Sequence, residues 1–450
     1  MSQAFDLVVI GTGDGGSGAA HRCRRAGWRV AIVDELPYGG TCALRGCDPK
    51  KVLVGAADLA DWSRRMQERG ARGRTEIDWA ELMRFKRSFT DPVPQARLAA
   101  FQKAGIATYQ GQARFVDPER MVMGGETLES RYFLIAAGAR PRPLGIEGEA
   151  HLTTSTDFLE LDRLPERIAF VGGGYISFEF AHVAQRAGAR TTILGRGTPL
   201  RHFDQDLVQR LVRHTRELGV DTRLNATVTA IEQRGAGYLV RSERDGRSET
   251  VEADLVVHGA GRVPHTEGLC LGEGSVATDA AGGVLVNQFL QSPSNPRVYA
   301  AGDAAAAPGS LPLTPVAAYQ SVVVSSNLLN GNSRTADYRG IPTVTFTIPP
   351  LAGVGLTEAE ARRQQLAFRV KSEETSGWYS NRRVNQSAAM FKTLVDNESD
   401  RILGAHLLGE HAEEVINLFA LAIRQDLTAT DLKHQLYSYP TSASDLPYML

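Results

Sequence analysis

No stretch of the 450 residues approaches the eighteen or so uninterrupted apolar residues of a membrane-spanning helix. The nearest run, Ile416 to Ile423, is short and is interrupted by Asn417. An excess of either charge is missing as well. The 50 lysines and arginines against 51 aspartates and glutamates leave a formal net charge of −1, so electrostatics offers nothing to nucleic acid or to an anionic membrane. Cysteine is scarce, with four in all, too few to staple a chain of this length. Strand character begins by Phe5-Asp6-Leu7-Val8-Val9-Ile10, leaving no room for the charged, apolar and cleavage regions of a signal peptide. We therefore expect a cytoplasmic protein with no nucleic-acid or membrane partner.

What is present is an ordinary globular composition, 42% hydrophobic and 22% charged, in a chain long enough for two to four domains. Its most telling stretch is Gly39-Gly40-Thr41-Cys42-Ala43-Leu44-Arg45-Gly46-Cys47-Asp48-Pro49-Lys50-Lys51. The pattern predicts a helix over 42–69, with Cys42 and Cys47 on neighbouring turns and within reach of a disulfide. Cys23, in a predicted helix, and Cys270, in a glycine-rich turn, read as structural.

Residues 4–10 form a predicted buried strand. Gly11-Thr12-Gly13-Asp14-Gly15-Gly16 follows, then a helix over 17–26, a strand over 28–33 and Asp34. This is a strand–glycine turn–helix–strand–acid fingerprint for a dinucleotide. Gly11 serves the tight turn, Gly13 the approach of a pyrophosphate to the helix end, and Gly16 the helix–strand packing. Asp34 is placed to accept ribose hydroxyls. Asp14 is unusual beside a phosphate, and we expect it to face solvent or bond within the turn.

The fingerprint recurs. A strand over 167–171 leads into Gly172-Gly173-Gly174-Tyr175-Ile176-Ser177, a helix to about 187 and a strand over 190–194. Ser177 stands at the third small position. Gly195 occupies the place equivalent to Asp34, and Arg196 and Arg201 follow. Arginines there suit a 2′-phosphate, so NADPH is expected in preference to NADH. The remainder reads as strand 298–303 ending at Asp303, a helix over 314–330, a polar linker, and an α+β segment without a nucleotide fingerprint.

Several further motifs complete the pattern: Gly259-Ala260-Gly261-Arg262-Val263-Pro264, Ala301-Gly302-Asp303, Leu313-Thr314-Pro315-Val316-Ala317 and Val354-Gly355-Leu356-Thr357-Glu358. With Gly39–Lys50 and the two fingerprints, the chain resembles, along essentially its whole length, the pyridine nucleotide-disulfide oxidoreductases of the glutathione reductase, lipoamide dehydrogenase and mercuric reductase type. The resemblance implies an α/β fold of two Rossmann-like dinucleotide-binding domains plus a C-terminal α+β dimerisation domain. The boundaries would be 1–149 and 263–333 for FAD, 150–262 for NAD(P)H and 334–450 for the interface of a homodimer.

The same resemblance implies the roles. FAD would be held by Gly11, Gly13, Gly16, Asp34, Gly40, Thr41, Gly138 and Asp303. NAD(P)H would be held by Gly172, Gly174, Tyr175, Arg196, Arg201, Gly261 and Arg262, with Tyr175 as the ring that covers the nicotinamide pocket and swings aside. Cys47 would be the flavin-proximal thiolate and Cys42 the interchange thiol. Lys50 would pair with Glu179 near the flavin. No metal ligand set is assigned.

The chain departs from its family at one place. Disulfide reductases of this kind end in His-Pro-Thr followed by a Glu, and the His is the acid–base partner of the interchange thiol. Here the run is Tyr439-Pro440-Thr441-Ser442-Ala443-Ser444-Asp445, so Tyr439 replaces the His and Ser444 the Glu. Tyrosine donates a proton but is a poor base at neutral pH. His434 and Asp445 are the candidate substitutes. The expected activity is reduction of a low-molecular-weight disulfide or other thiol-reactive substrate, with Tyr439 counted among the catalytic residues. The alternatives are a mercuric, metal-ion or quinone reductase, a dihydrolipoamide dehydrogenase, and a flavin redox sensor without turnover. Arg45 and Asp48 flank the cysteines and read either as tuning groups or as a local ion pair on an exposed helix.

Overall fold

The computed structural model describes residues 2–450. The chain forms two compact units. One comprises the residues through Lys50 with Phe85–Arg142 and Arg262–Tyr338; the other comprises Lys51–Arg84, Pro143–Gly261 and Arg339–Leu450. Among the described residues no helix is long and apolar enough to cross a membrane.

The first unit is built on a seven-stranded sheet. Its spatial order is Ala107–Gln110, Val30–Asp34, Ser2–Ile10, Glu126–Ile135, Arg120–Met123 and Arg114–Asp117, with Val298–Ala300 also on Glu126–Ile135. The pairs around Ser2–Ile10 are parallel. The apolar run at its end is buried on both faces. Leu7 and Val9 pack with Ile32, Ala19, Ala20 and Cys23, while Val8 and Ile10 pack with Val33, Phe133 and Ile135. A two-sided core explains why this strand is continuously apolar rather than alternating. The helices Asp14–Arg25 and Thr314–Asn330 pack on each other. Burial pushes the Cys23 thiol up to about 12, so it behaves as a core side chain.

The predicted helix over 42–69 is two helices, Gly40–Arg45 and Cys47–Arg65. The break is at Gly46, where a Cβ would sit 2.8 Å from the Thr41 carbonyl oxygen. Cys47 consequently opens a helix of its own. The helices Trp79–Thr90 and Val93–Lys103 are separated at Pro92, which cannot continue the helical hydrogen bonding.

The second unit holds a four-stranded parallel sheet, ordered Asp221–Leu224, Arg190–Gly195, Arg167–Val171 and Leu255–His258. A three-stranded meander spans Thr227–Ala253. A five-stranded antiparallel sheet follows, ordered Thr343–Thr345, Leu351–Gly355, Ile402–Leu408, Met390–Asp396 and Phe368–Glu374. Helix Ala412–Arg424 packs on that sheet through Val415, Ile416, Phe419 and Ala422, spaced as one apolar face. The α/β class with two dinucleotide-binding folds and a C-terminal α+β portion is what the sequence leads one to expect.

Buried polar groups tie the second unit together. His182 accepts the Ile348 N–H at Nδ1 (3.1 Å). Thr215 spends its hydroxyl proton on the Leu211 carbonyl (2.9 Å), so His182 Nε2–H is the donor to Thr215 Oγ1 (2.9 Å). This fixes a neutral tautomer. Burial, reinforced by Arg186, holds the His182 pKa well below the ordinary value. Arg186 in turn pairs with Asp61 (2.9 Å) and donates to the Ile348 carbonyl (3.1 Å). Elsewhere the buried Lys392 ammonium meets three carboxylates: Asp204 at 3.1 Å, Asp206 at 2.5 Å and Glu358 at 2.9 Å.

Candidate active site

The first fingerprint adopts the shape its glycines dictate. Gly11 has φ +105, and a Cβ there would overlap the Ala136 carbonyl oxygen; one at Gly16 would overlap the Gly11 carbonyl oxygen. Gly13 is different. A Cβ there would meet only the Gly40 Cα, at 3.7 Å, and the helix Asp14–Arg25 begins at Gly13 with no side-chain cap. Backbone N–H groups at an uncapped helix start, beside open space, fit the pyrophosphate of a dinucleotide.

Asp34 is held by groups the sequence reading passed over. Its Oδ2 accepts the Thr12 N–H (2.8 Å) and the Thr12 hydroxyl (2.6 Å), and its Oδ1 accepts the Leu36 N–H (3.0 Å). Thr12 Oγ1 also accepts the Gly39 N–H (3.0 Å), so one side chain joins the phosphate turn, the acid and the cysteine loop. The only signal was its place inside the glycine motif. Gly40, at φ +72, approaches Gly13 so closely that a Cβ would overlap it, and Thr41 beside it is exposed. Gly138 has φ +73 and its carbonyl accepts the His265 N–H (2.9 Å). Asp303 lies in the short turn after strand Val298–Ala300. Burial pushes its carboxyl up, opposed by Arg262. The Arg262 guanidinium donates to the Ala139 carbonyl.

The second fingerprint repeats the design. Gly172 has φ +116 and lies against Gly259. Gly174 starts the helix Tyr175–Arg186 without a side-chain cap. Ser177 fills the third small position and is wholly buried, so closely packed that a Cβ on Gly259 would overlap its Oγ. Tyr175 is half-exposed at the helix start. Arg196 and Arg201 are exposed in the loop after strand Arg190–Gly195, where Arg201 Nε donates to His202 Nε2 (3.1 Å). Gly261 has φ +105. Both cradles fit the dinucleotides the fold implies.

Cys42 is the third residue of one helix and Cys47 the first of the next. Cys47 Sγ lies 3.5 Å from Thr314 Oγ1, and Cys42 Sγ donates to Asp48 Oδ1 at 3.8 Å. The Cys42 thiol is pushed far up: first by its hydrogen bond to Cys47, then by burial and by the negative charges of Cys47 and Asp48. Cys47 opens helix Cys47–Arg65, a position whose helix dipole favours a thiolate. Lys50 lies in the first turn of that helix, half-buried, its N–H bonded to the Gly46 carbonyl (3.1 Å). Glu179 is 3% exposed and accepts the Phe346 N–H at 2.7 Å.

Asp14 is half-buried, and its bond to its own backbone is the local alternative expected for it. Burial pushes its carboxyl up; Arg97 opposes this, Asp48 adds to it, and a bond to its own backbone lowers it. Arg45 is half-buried, its burial offset by the charge of Asp34, and not an exposed partner of Asp48. Tyr439 is 81% exposed. Ser444 completes a capping box with Thr441 at the final short helix, and Asp445 accepts the Ser380 hydroxyl.

Comparison with known proteins identifies the lineage. Residues 5–321 match the pyridine nucleotide-disulphide oxidoreductase family, and residues 341–449 match the dimerisation domain of the same family. The chain belongs to this family. It is 33% identical to a glutathione reductase of Burkholderia cepacia over 98% of this chain and 97% of that one. It is 32% identical to a mercuric reductase of Staphylococcus aureus, over 98% of this chain and 81% of that one. A solved structure of the HOCl-induced flavoprotein disulfide reductase RclA of Escherichia coli, as its Cu(II) complex, matches with a TM-score of 0.89 at 27% identity, covering 99% of both chains. The family member described here is a flavoprotein disulfide reductase, an enzyme whose cofactors are FAD and a nicotinamide nucleotide.

Proposed function

We propose that the chain is an NADPH-dependent, FAD-containing reductase of a low-molecular-weight disulfide, working as a homodimer. The observation that carries this reading is the division of labour between the two sulfurs. Cys42 Sγ donates to Asp48 Oδ1, whereas Cys47 opens a helix with its Sγ beside Thr314 Oγ1. That is the arrangement of a dithiol that receives an electron pair at one sulfur and spends it at the other. When bound, NADPH and FAD supply that pair as a hydride and pass it on.

The residues have these roles. Gly11, Gly13, Gly16, Asp34, Gly40, Thr41, Gly138 and Asp303 hold FAD. Gly172, Gly174, Tyr175, Gly261 and Arg262 frame the nicotinamide nucleotide. Arg196 and Arg201 select its 2′-phosphate. Lys50 and Glu179 form a counter-charged pair, a reading supported by the motif, and Tyr439 stands at the substrate end. The domains follow the boundaries 1–149 with 263–333, 150–262, and 334–450.

Anaerobic titration with NADPH tests the reading. A long-wavelength absorption band from a thiolate beside oxidised flavin is expected, and its absence with both cysteines intact would overturn the proposal. Nucleotide choice is tested separately. Replacing Arg196 and Arg201 together by Ala is expected to raise KM for NADPH at least about tenfold, since each charge-assisted hydrogen bond contributes about 1.5–3 kcal/mol, with little effect on NADH. An equal effect on both nucleotides would refute the assignment.

A second reading is favoured by two observations: several relatives are mercuric reductases, and the similar RclA structure is a Cu(II) complex. NADPH oxidation driven by mercuric or cupric ion faster than by every disulfide in a panel would select it.

A further inference from the structure

We infer that Asp48 is the acid–base residue of the interchange thiol, taking the place left by the histidine that this chain replaces with Tyr439. The inference rests on the disulfide-reductase reading above. Asp48 Oδ1 is the acceptor of the Cys42 S–H, at 3.8 Å, within hydrogen-bonding range for sulfur. Asp48 follows Cys47 at the start of the helix and is exposed.

The groups around it fit this role. Cys47 is the neighbouring sulfur, and Thr314 is hydrogen-bonded to that sulfur rather than to Asp48. Asp14 faces Asp48 from the helix Asp14–Arg25, and Arg97 faces Asp14. The bond to Cys47, burial, and the Cys47 and Asp48 charges hold the proton on Cys42 at rest, with Thr314 opposing them. A carboxylate in contact with that proton is then the group that removes it when Cys42 attacks.

The chemistry balances. The reduced centre starts as Cys42 thiol and Cys47 thiolate. Asp48 takes the Cys42 proton, and the Cys42 thiolate attacks one sulfur of R–S–S–R′. The Cys42–SR bond forms, the substrate S–S bond breaks, and R′S⁻ leaves with the proton from Asp48 as R′SH. The Cys47 thiolate then attacks the Cys42 sulfur. The Cys42–Cys47 disulfide forms, and RS⁻ leaves and takes a proton from water. The substrate gains two electrons and the dithiol loses two.

The test compares two neutral disulfides with Asp48→Asn. Bis(hydroxyethyl) disulfide leaves as a basic thiolate that needs a proton, whereas dipyridyl disulfide leaves as a stable thione that needs none. General acid–base groups contribute about 10²-fold or more. Asp48→Asn is therefore expected to slow reduction of the aliphatic disulfide about 10²-fold and of the aromatic one less than about threefold. Asp48→Glu, which keeps the carboxylate, is expected to recover part of the loss, with flavin content reporting that each variant folds. Equal effects on the two disulfides, including no effect on either, would overturn the inference.

If the wild-type enzyme reduces neither disulfide, the functional reading fails instead. Asp48 is then judged by the pH dependence of Cys42 alkylation with iodoacetamide. A downward shift in Asp48→Asn supports its contact with the thiol proton, and an unmoved profile refutes it.

Discussion

At the scale of single residues, the chemistry is decided by small oxygens placed beside the groups that react. Thr12 is the clearest case. Its hydroxyl donates to Asp34 and accepts from Gly39, so Asp34, the acid proposed for the ribose, and the loop that carries the cysteines are positioned by one atom. Each such bond contributes about 1 kcal/mol. Thr12→Val, nearly the same in shape, is expected to lower stability by about 1–3 kcal/mol and to weaken FAD retention about tenfold, read as flavin lost on dilution. Thr12→Ser should behave like the parent protein. A Thr12→Val enzyme that keeps its flavin as tightly as wild type would show that Asp34 needs no such support.

At the scale of elements, the sequence was most legible where backbone geometry admits few residues. The two glycine fingerprints, the buried strands after them and the helix Thr314–Asn330 are all visible in spacing alone, because a positive φ or a close backbone approach excludes other side chains. The break at Gly46 was not. Helical periodicity runs through it, and only the nearness of the Thr41 carbonyl forces the second helix to begin at Cys47. The sequence names candidate residues for the site but not their contacts. Thr12, Thr314 and the Cys42–Asp48 bond depend on how chain segments meet, which periodicity does not encode.

The strap around Ile348 yields a prediction at this scale. His182 is neutral in the fold, and its pKa is depressed, as are those of His214 and His406. The unfolded chain binds protons at these positions below about pH 6.5, so their stabilising contribution is present above that pH and is lost as pH falls. The unfolding free energy from urea titration is expected to drop between pH 7.5 and 5.5, by up to about 1.4 kcal/mol per histidine per pH unit below 6.5. His182→Gln should flatten the slope. A slope unchanged in that variant would locate the proton uptake elsewhere.

At the scale of the whole molecule, the segment matching a dimerisation domain carries large apolar side chains in water: Leu436 at 91% exposure and Tyr439 at 81%, with Leu421 and Tyr448 also exposed. Leu436→Asp is expected to produce a monomer by light scattering at micromolar concentration. It should abolish disulfide turnover while NADPH still reduces the flavin in rapid mixing. A variant that remains dimeric, or a monomer with full turnover, would refute the need for a second subunit.

Lys392 has a consequence for how this family can be recombined. It holds Asp204 and Asp206, which begin the helix just past the arginine loop, together with Glu358. The lysine and the acids it neutralises are 188 positions apart at the widest. A chimera that replaces residues 150–262 with a relative's segment therefore removes Asp204 and Asp206 while leaving Lys392, their counter-ion, in place. Grafts that carry position 392 along with the loop preserve the charge balance. Grafts cut at 150 and 262 leave the buried Lys392 ammonium without two of its three carboxylate partners.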